Sequence, residues 1–123
     1  MTPTSGKGIE GMLDHLVDQV PGAREAVVVS SDGLLSAQSA SVDRAEAERL
    51  AAVAAMLVSV ARAAGEPMRA GDVQEIIINM EHAVLLVMGI GTGSAVAVVA
   101  THPCDLGIVA FEMATLVAGI RAL

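Results

Sequence analysis

The chain has 123 residues, a length that suits one domain with a single core. It carries 14 acidic residues against 7 basic ones, and its net charge of −7 argues against binding to nucleic acid or to an anionic lipid surface. Its one aromatic residue is Phe111, whereas proteins that stack bases rely on several aromatic side chains. We therefore expect no nucleic acid among its partners.

Although 54% of the residues are hydrophobic, the sequence predicts no membrane-spanning segment. A spanning helix needs about 20 mostly apolar residues, but Arg62 interrupts one apolar run and the glycines at 89–93 interrupt another. Residues 1–7 lack the hydrophobic stretch of a signal peptide, and we predict that they form a flexible tail before a single domain at 8–123. The one cysteine, Cys104, cannot form an intrachain disulfide. These features predict a cytoplasmic protein with no direct membrane insertion.

The first third of the chain predicts a helix followed by a hairpin. Apolar residues recur at helical spacing over 9–20, and Pro21 then stops the helix. A run rich in valine at 26–30 and a second run at 34–38 flank an Asp-Gly turn, which is the signature of two antiparallel strands.

A long helix is predicted at 41–64, capped by Ser41 or Asp43 and closed by Gly65. Within it the run at 50–61 has Ser59 as its one polar residue. A helix that is apolar on every face must be covered on every face. Because its own sheet can cover one side at most, we expect the other side to contact a second copy or another protein.

Steps of 100° per residue divide this helix into two faces. The face with bulkier residues is predicted to lie on the sheet: Leu50, Val53, Ala54, Leu57 and Ala61. The opposite face is formed mainly by small residues: Ala52, Ala55, Met56, Ser59 and Ala63. We expect the small residues to let a second helix approach closely.

The second half of the chain predicts three strands, at 73–79, 83–88 and 94–101, and a final helix at 106–121 that Asp105 caps. The strands are apolar at consecutive positions, which indicates that both faces of their sheet are covered. The inner stripe predicted for the last helix is Leu106, Val109, Met113, Leu116 and Ile120. The fold class is therefore α+β, an α-β-β-α-β-β-β-α sandwich with five antiparallel strands and helices on both faces.

No recognisable motif predicts a catalytic, cofactor-binding or metal-binding site. The glycines at 89–93 have the spacing G-x-G-x-G, but a strand follows them where a dinucleotide-binding turn needs a helix. His102, Cys104 and Asp105 could be imagined as metal ligands, although a loop that ends in a helix cap accounts for them. No Ser or Cys is recognisable beside the base and acid that nucleophilic catalysis needs. We therefore expect no cofactor, no metal and no catalytic residue.

The segment V-P-G-A-R-E-A-V-V-V-S-S-D-G-L-L at 20–35 resembles the first hairpin of the roadblock or dynein light-chain domain family. The alanine-rich central helix, I-I-I-N-M-E-H-A-V-L-L-V-M at 76–88, the glycine turn and D-L-G-I-V-A-F-E-M at 105–113 resemble later parts of the same domain. The resemblance covers about residues 8–121 and depends on the order of these short motifs. It is strongest for bacterial members encoded beside small Ras-like GTPases, including conservon-type operons with a sensor-kinase-like protein.

The resemblance implies a roadblock, profilin-like fold and a homodimer in which the central helices pack antiparallel and the strands at 73–79 join two sheets. It also implies a non-enzymatic adaptor or regulator of a small Ras-like GTPase, with a sensor-kinase-like protein as a further partner. The residues expected at the dimer or partner interface are Ala52, Ala55, Met56, Ser59, Arg62, Ala63, Ile76 and Ile78. Arg24 and Arg62 are the candidate GTPase contacts, because an arginine can neutralise charge on the transferred phosphate.

Two alternatives stay open. Five-stranded sheets flanked by helices also occur in small-molecule-sensing signalling domains, which need a cavity with a few convergent polar groups. Few residues of the predicted core could supply such groups. An enzyme is the third interpretation, and Arg24 and Arg62 can equally be ordinary surface arginines.

Overall fold

The computed structural model describes residues 5–91 and 93–123. Its elements, in chain order, are α1 (Ser5–Gln19), β1 (Ala23–Val29), β2 (Leu35–Gln38), α2 (Arg44–Gly65), β3 (Glu75–Asn79), β4 (Ala83–Gly91), β5 (Ser94–Thr101) and α3 (Leu106–Arg121). The predicted order of elements is confirmed. The predicted tail at 1–7 falls partly outside the described residues, and its last part, 5–7, is helical because α1 begins at Ser5.

The five strands form one antiparallel sheet in the order β2-β1-β5-β4-β3. Strand β1 begins earlier than predicted because Ala23 already pairs with Ala100 of β5. Strands β4 and β5 form a hairpin, in which Gly91 pairs with Ser94. Two of the clustered glycines, Gly89 and Gly91, therefore belong to strand β4.

Helices cover both faces of the sheet, as predicted. Neighbouring residues of β1 alternate between two separate cores, since side chains point to opposite faces along a strand. Val28 packs with α1 and α3 in one core, whereas Val27 packs beneath α2 in the other. In α3, Val109, Met113 and Leu116 of the predicted inner stripe are buried, and Leu106 and Ile120 are half-buried.

The predicted caps hold two helices at their N-termini. In α2 the cap is Asp43 rather than Ser41, and its Oδ1 accepts a hydrogen bond from the backbone N–H of Glu46 at 2.8 Å. In α3, Asp105 Oδ1 accepts from the backbone N–H of Ile108 at 3.2 Å. Each carboxylate satisfies an N–H group that has no partner inside its own helix.

The predicted orientation of α2 is correct only in part: Ala54 is buried and Leu50, Leu57 and Ala61 are half-buried, but the buried face is centred on other residues. The residues buried against the sheet are Ala47, Ala51 and Ala54, while Val53, predicted to face the sheet, is 37% exposed. At 100° per residue the helix is rotated by roughly 70° from the predicted orientation. The physical reason is close packing, since alanines bring the helix backbone near the sheet and leave Leu50 and Leu57 half-buried at its sides.

Strand β3 lies at an edge of the sheet and departs from the prediction in two ways. It begins at Glu75 rather than at 73, and β4 is its one hydrogen-bonded neighbour within the described sheet. One of its faces is open, because Ile77 is 44% exposed. The prediction that both faces are covered therefore holds for β4 and β5 but is wrong for this edge.

None of the helices in the part of the chain that the structure describes is long and apolar enough to cross a membrane.

Candidate interaction surface

An apolar stripe lies on the side of α2 that points away from the sheet. Three large apolar side chains stand on it, with Val53 at 37%, Met56 at 63% and Val60 at 67% exposure. Small exposed residues separate them. We call this stripe the outer face of α2: Ala52, Val53, Met56, Ser59, Val60 and Ala63. Its positions follow helical spacing, so they form one continuous line along the helix.

Charged residues stand at the two ends of the outer face. Near the start of α2, Arg44 Nε contacts Glu48 Oε2 at 3.0 Å one helical turn apart. Near its end Arg62 is exposed, and Glu66 follows as the C-cap. An apolar centre with a polar rim is the usual arrangement of a protein–protein contact.

Half of the residues predicted at the interface lie on the outer face. Ala52, Met56, Ser59 and Ala63 belong to it, whereas Ala55 is half-buried and packs against the core beneath α2. The prediction that Ala55 lies on the side of α2 away from the sheet is therefore wrong. The same rotation of the helix that exposes Val53 turns Ala55 towards the core. The sequence analysis missed Val53 and Val60. A helical projection that places Ala47, Ala51 and Ala54 against the sheet would have assigned both valines to the outer face.

The two isoleucines predicted at the interface lie on the edge strand. Ile76 and Ile78 are half-buried and pack against the core beneath α2, on the face of β3 that α2 covers. An edge strand presents backbone groups on which another strand can pair. One face of β3 is thus covered by α2, and β4 is the one strand paired with it in the described sheet.

The two candidate arginines are not brought together. Arg24 is exposed in β1, beside the pairs that Ala23 and Glu25 form with Ala100 and Val99 of β5. Arg62 instead borders a cleft with Gly93 and Ala95, at the opposite end of β5. Strands rise about 3.3 Å per residue, so the two arginines lie near points roughly 15 Å apart along this strand.

The cleft beside Arg62 has a volume of about 360 Å³ and opens between the end of α2, the start of β3 and the turn from β4 to β5. Its polar side chains include Arg62, Asp72, Gln74 and Arg121. Arg121 Nε donates a hydrogen bond to the backbone carbonyl of Ile90 at 2.7 Å. Among the described residues no group of three or more His, Cys, Asp or Glu side chains could hold a metal ion.

A buried carboxyl lies beneath α2 and was missed in the sequence. Glu25 is 8% exposed, and its Oε2 has no hydrogen-bond partner among the described residues. Burial raises the pKa of Glu25 above its ordinary value of 4.5, and the Glu46 carboxylate raises it further, against the opposing charges of Arg24 and Arg49. The sequence offered one signal, which is that the charged Glu25 directly precedes the apolar run at 26–29 that forms the buried part of β1.

This carboxyl predicts a pH dependence of stability. The folded protein retains the Glu25 proton to higher pH than the unfolded chain, so the free energy of unfolding falls as pH rises from 4.5 through the raised pKa. We expect Glu25→Gln to raise the free energy of unfolding more at pH 7 than at pH 5, because the amide, unlike the carboxyl, never has to ionise in this buried place. Urea unfolding of both proteins at pH 5 and pH 7 measures this. A gain that is larger at pH 5 than at pH 7 would contradict the assignment.

Comparison with known proteins shows the family to which this fold belongs. The family model of the Roadblock/LC7 domain matches residues 9–100, which is most of the chain. The chain belongs to the Roadblock/LC7 family. A crystal structure of a Roadblock/LC7 domain from Streptomyces avermitilis is 32% identical, with a TM-score of 0.87 over 92% of this chain and 94% of that one. The resemblance stated from the sequence is confirmed.

Two further solved structures share the fold of this Roadblock/LC7 domain at lower identity. Myxococcus xanthus MglB has a TM-score of 0.88 at 15% identity, over 99% of this chain and 91% of that one. A structure described as MglB with a tetrameric arrangement has a TM-score of 0.87 at 17% identity, again over 99% and 91% of the two chains. Among curated protein sequences, no relative matches.

Proposed function

We propose that this Roadblock/LC7 domain is a non-enzymatic, homodimeric adaptor that binds a small Ras-like GTPase in a bacterial signalling complex and modulates its GTPase activity. The observation that carries the proposal is the outer face of α2, where Met56 and Val60 are 63% and 67% exposed. Helix α2 has 22 residues, and an apolar stripe along a helix of this length favours cover by another helix.

The order of residues on the outer face suits a second copy of the same chain. A symmetric dimer places the same surface on both sides, so the surface must be complementary to itself. If two α2 helices cross antiparallel at Met56, positions at equal distances on either side of it meet. Val60 then faces Ala52 of the partner subunit, and Val53 faces Ser59 of the partner subunit. Each large side chain meets a small one, which supports the homodimer.

The sheet edge supports the same assembly. Strand β3 has β4 as its one neighbour in the described sheet, and α2 covers one of its two faces. We infer that β3 pairs with β3 of the second copy, so that two five-stranded sheets continue into one. Ile76 and Ile78 would then extend the contact made by the outer face. The tetrameric arrangement named for MglB is a further indication that this fold assembles from copies.

The GTPase is the second partner in the proposal because the bacterial roadblock domains that the sequence resembles are encoded beside Ras-like GTPases. Arg62 is the better-placed contact, since it is exposed at the end of the outer face and borders the cleft beside β5. Arg24 lies near the other end of β5 and would need a GTPase that spans the domain. An arginine directed at the nucleotide stabilises the charge of the transferred phosphate.

The test is to combine the purified chain with a bacterial Ras-like GTPase from the same genome, loaded with either GDP or GTP, and to measure both binding and GTP hydrolysis. We expect binding to wild type and a changed hydrolysis rate. Arg62→Ala should lower any stimulation by about 10-fold or more while binding persists, if Arg62 acts on the phosphate. Arg24→Ala is the matched control. Binding without altered hydrolysis would identify a scaffold, and no binding in either nucleotide state would refute both versions.

The cleft beside Arg62 favours one other function, a small-molecule-sensing signalling domain. Its volume of about 360 Å³ is at the lower end of the size of ligand pockets, and two arginines, one aspartate and one glutamine border it. Thermal shifts with a panel of anionic metabolites test this. A shift in wild type that Arg62→Ala removes would favour sensing over an adaptor that binds proteins alone.

A further inference from the structure

Two arginines from opposite layers of the fold border the cleft at the end of the sheet. Arg62 comes from α2, and Arg121 comes from α3, which covers the other face of the sheet. Both residues line the same cleft of about 360 Å³, so one small ligand can contact both. Two of the seven basic residues of the chain therefore meet at one place, although the net charge is −7.

A β-bulge holds Arg121 in this position. The register of β4 against β5 shifts between Gly89 and Gly91, so Ile90 is an extra residue between two strand pairs. The Ile90 carbonyl accepts a hydrogen bond from Arg121 Nε at 2.7 Å. The two terminal nitrogens of Arg121 make no hydrogen bond with the described residues, so their N–H groups can donate to a ligand.

Neither arginine has an acidic partner in the part of the chain that the structure describes. The ion pairs there join Arg44 to Glu48 and His82 to Glu81. Asp72 is the one acidic residue among the described residues that line the cleft, and it forms no ion pair with Arg62 or Arg121. Two cations at one cleft repel each other, so a bound anion would stabilise both.

Glycines leave room for a ligand beside the arginines. Gly89 and Gly91 line the cleft, and neither has a side chain that could fill it. An added Cβ at Gly91 would meet no atom within 4 Å, and one at Gly89 would lie 3.5 Å from the Val73 carbonyl oxygen, an ordinary contact. Gln74 and Ser94 also border the cleft and can donate hydrogen bonds from neutral groups.

We propose that this cleft binds the phosphate group of a small phosphorylated metabolite. A carboxylate has two oxygens in one plane, which the planar fork of a single arginine can satisfy. A phosphate monoester carries a charge of about −1.5 to −2 and three acceptor oxygens, which suit two arginines from different elements. The proposed ligand depends on the second candidate function, in which the same cleft senses a small molecule, and it requires neither the dimer nor the GTPase.

The first test titrates the intact chain with inorganic phosphate and records ¹H–¹⁵N correlation spectra, with ionic strength held constant by sodium chloride so that general screening does not change. We expect saturable shifts of the backbone amides of Gly89 and Gly91 and of the Nε–H signals of Arg62 and Arg121. The Nε–H signal of Arg24, near the other end of β5, should not move.

Removal of either cleft arginine should weaken binding. We expect the dissociation constant for phosphate to rise by about 10-fold or more in Arg62→Ala and in Arg121→Ala, the factor for loss of a hydrogen bond to a charged group. Arg24→Ala removes the same charge elsewhere and should leave the constant unchanged. Asp72→Asn should lower it, because the variant removes the one acidic charge among the described lining residues.

A further variant blocks the cleft without a change of charge. Gly89→Leu places a side chain between Gly89 and Val73, so phosphate should no longer bind although both arginines remain. Circular dichroism verifies that each variant is folded. Binding to Gly89→Leu as tight as to wild type would show that phosphate binds outside the cleft and would overturn the proposal.

Malonate, a small dicarboxylate, separates the ligand class from the existence of the site. If malonate binds as tightly as phosphate, the phosphate assignment is overturned and the sensing function stands. If neither anion shifts the signals of the cleft, or if Arg24→Ala weakens binding as much as Arg62→Ala, both the phosphate site and the sensing function are refuted. The adaptor function is tested separately, by binding to the GTPase.

Discussion

Met56→Glu is expected to convert the dimer into a folded monomer. Met56 is 63% exposed at the centre of the outer face of α2, and in the proposed dimer the two copies of this residue meet at the symmetry axis. Two carboxylates would be buried there without a partner, at a cost of several kcal/mol, so the dissociation constant should rise by about 100-fold or more. Light scattering and sedimentation velocity at the same protein concentration measure the change, and circular dichroism shows whether the fold is retained.

Phe111→Glu is the matched control for this variant. Phe111 is 68% exposed, so it is as accessible as Met56, but it lies on α3, which covers the opposite face of the sheet. Its replacement should leave the mass of the assembly unchanged. If Met56→Glu kept the mass of wild type, or if Phe111→Glu alone lowered it, the outer face of α2 would not be the interface.

Ala51→Glu is expected to abolish folding rather than assembly. Ala51 is 0% exposed on the side of α2 that faces the sheet, and it belongs to the core that includes Val27 and Ala97. A carboxylate placed there is both too large for the space and without a partner, and its cost of several kcal/mol is comparable to the whole stability of a small domain. Thermal unfolding followed by circular dichroism should show no cooperative transition at 25 °C and above, as expected for a chain that is already unfolded.

Val53→Glu is the control for this variant, because it places the same charge on the opposite side of α2. Val53 lies on the outer face at 37% exposure, so its variant should fold with a melting temperature close to wild type and fail to dimerise. The orientation predicted from hydrophobicity alone places Val53 against the sheet, so it predicts that Val53→Glu is the variant that fails to fold. A stable Ala51→Glu and an unfolded Val53→Glu would show that α2 lies on the sheet through its bulkier residues.

The order of elements was predictable because each has a strong local signal. Asp43 and Asp105 indicate helix starts, and Gly33 follows Asp32 in a hairpin turn that the structure confirms with φ +85 at the glycine. These signals depend on neighbours in sequence, where capping and turn chemistry operate. Distant packing does not disturb them.

The orientation of α2 was not predictable by the same reasoning. Projection of hydrophobicity assigns the largest side chains to the core, yet the contact selects Ala47, Ala51 and Ala54. Close approach of helix and sheet gains many van der Waals contacts, and it requires small residues at the closest points. That gain depends on the shape of the sheet, which a single helical segment does not contain.

The contact between His102 and Asn79 was missed for a different reason. His102 was considered as a possible metal ligand and as part of a loop before a helix cap, but Asn79 is separated from it by 23 positions. The pairing of β3 with β4 and of β4 with β5 brings Asn79 and His102 to the same end of the sheet. Strand register therefore creates the contact, and composition gives no sign of it. Glu25 likewise becomes unusual only once β1 is known to be buried.

In the proposed dimer a second copy of this chain covers the outer face of α2. Sedimentation equilibrium of the wild type over a micromolar concentration series distinguishes this dimer from a monomer. We expect a mass of twice the 12.4 kDa of the single chain throughout that range. A mass of 12.4 kDa at every concentration would contradict it and would leave Met56 and Val60 exposed to water.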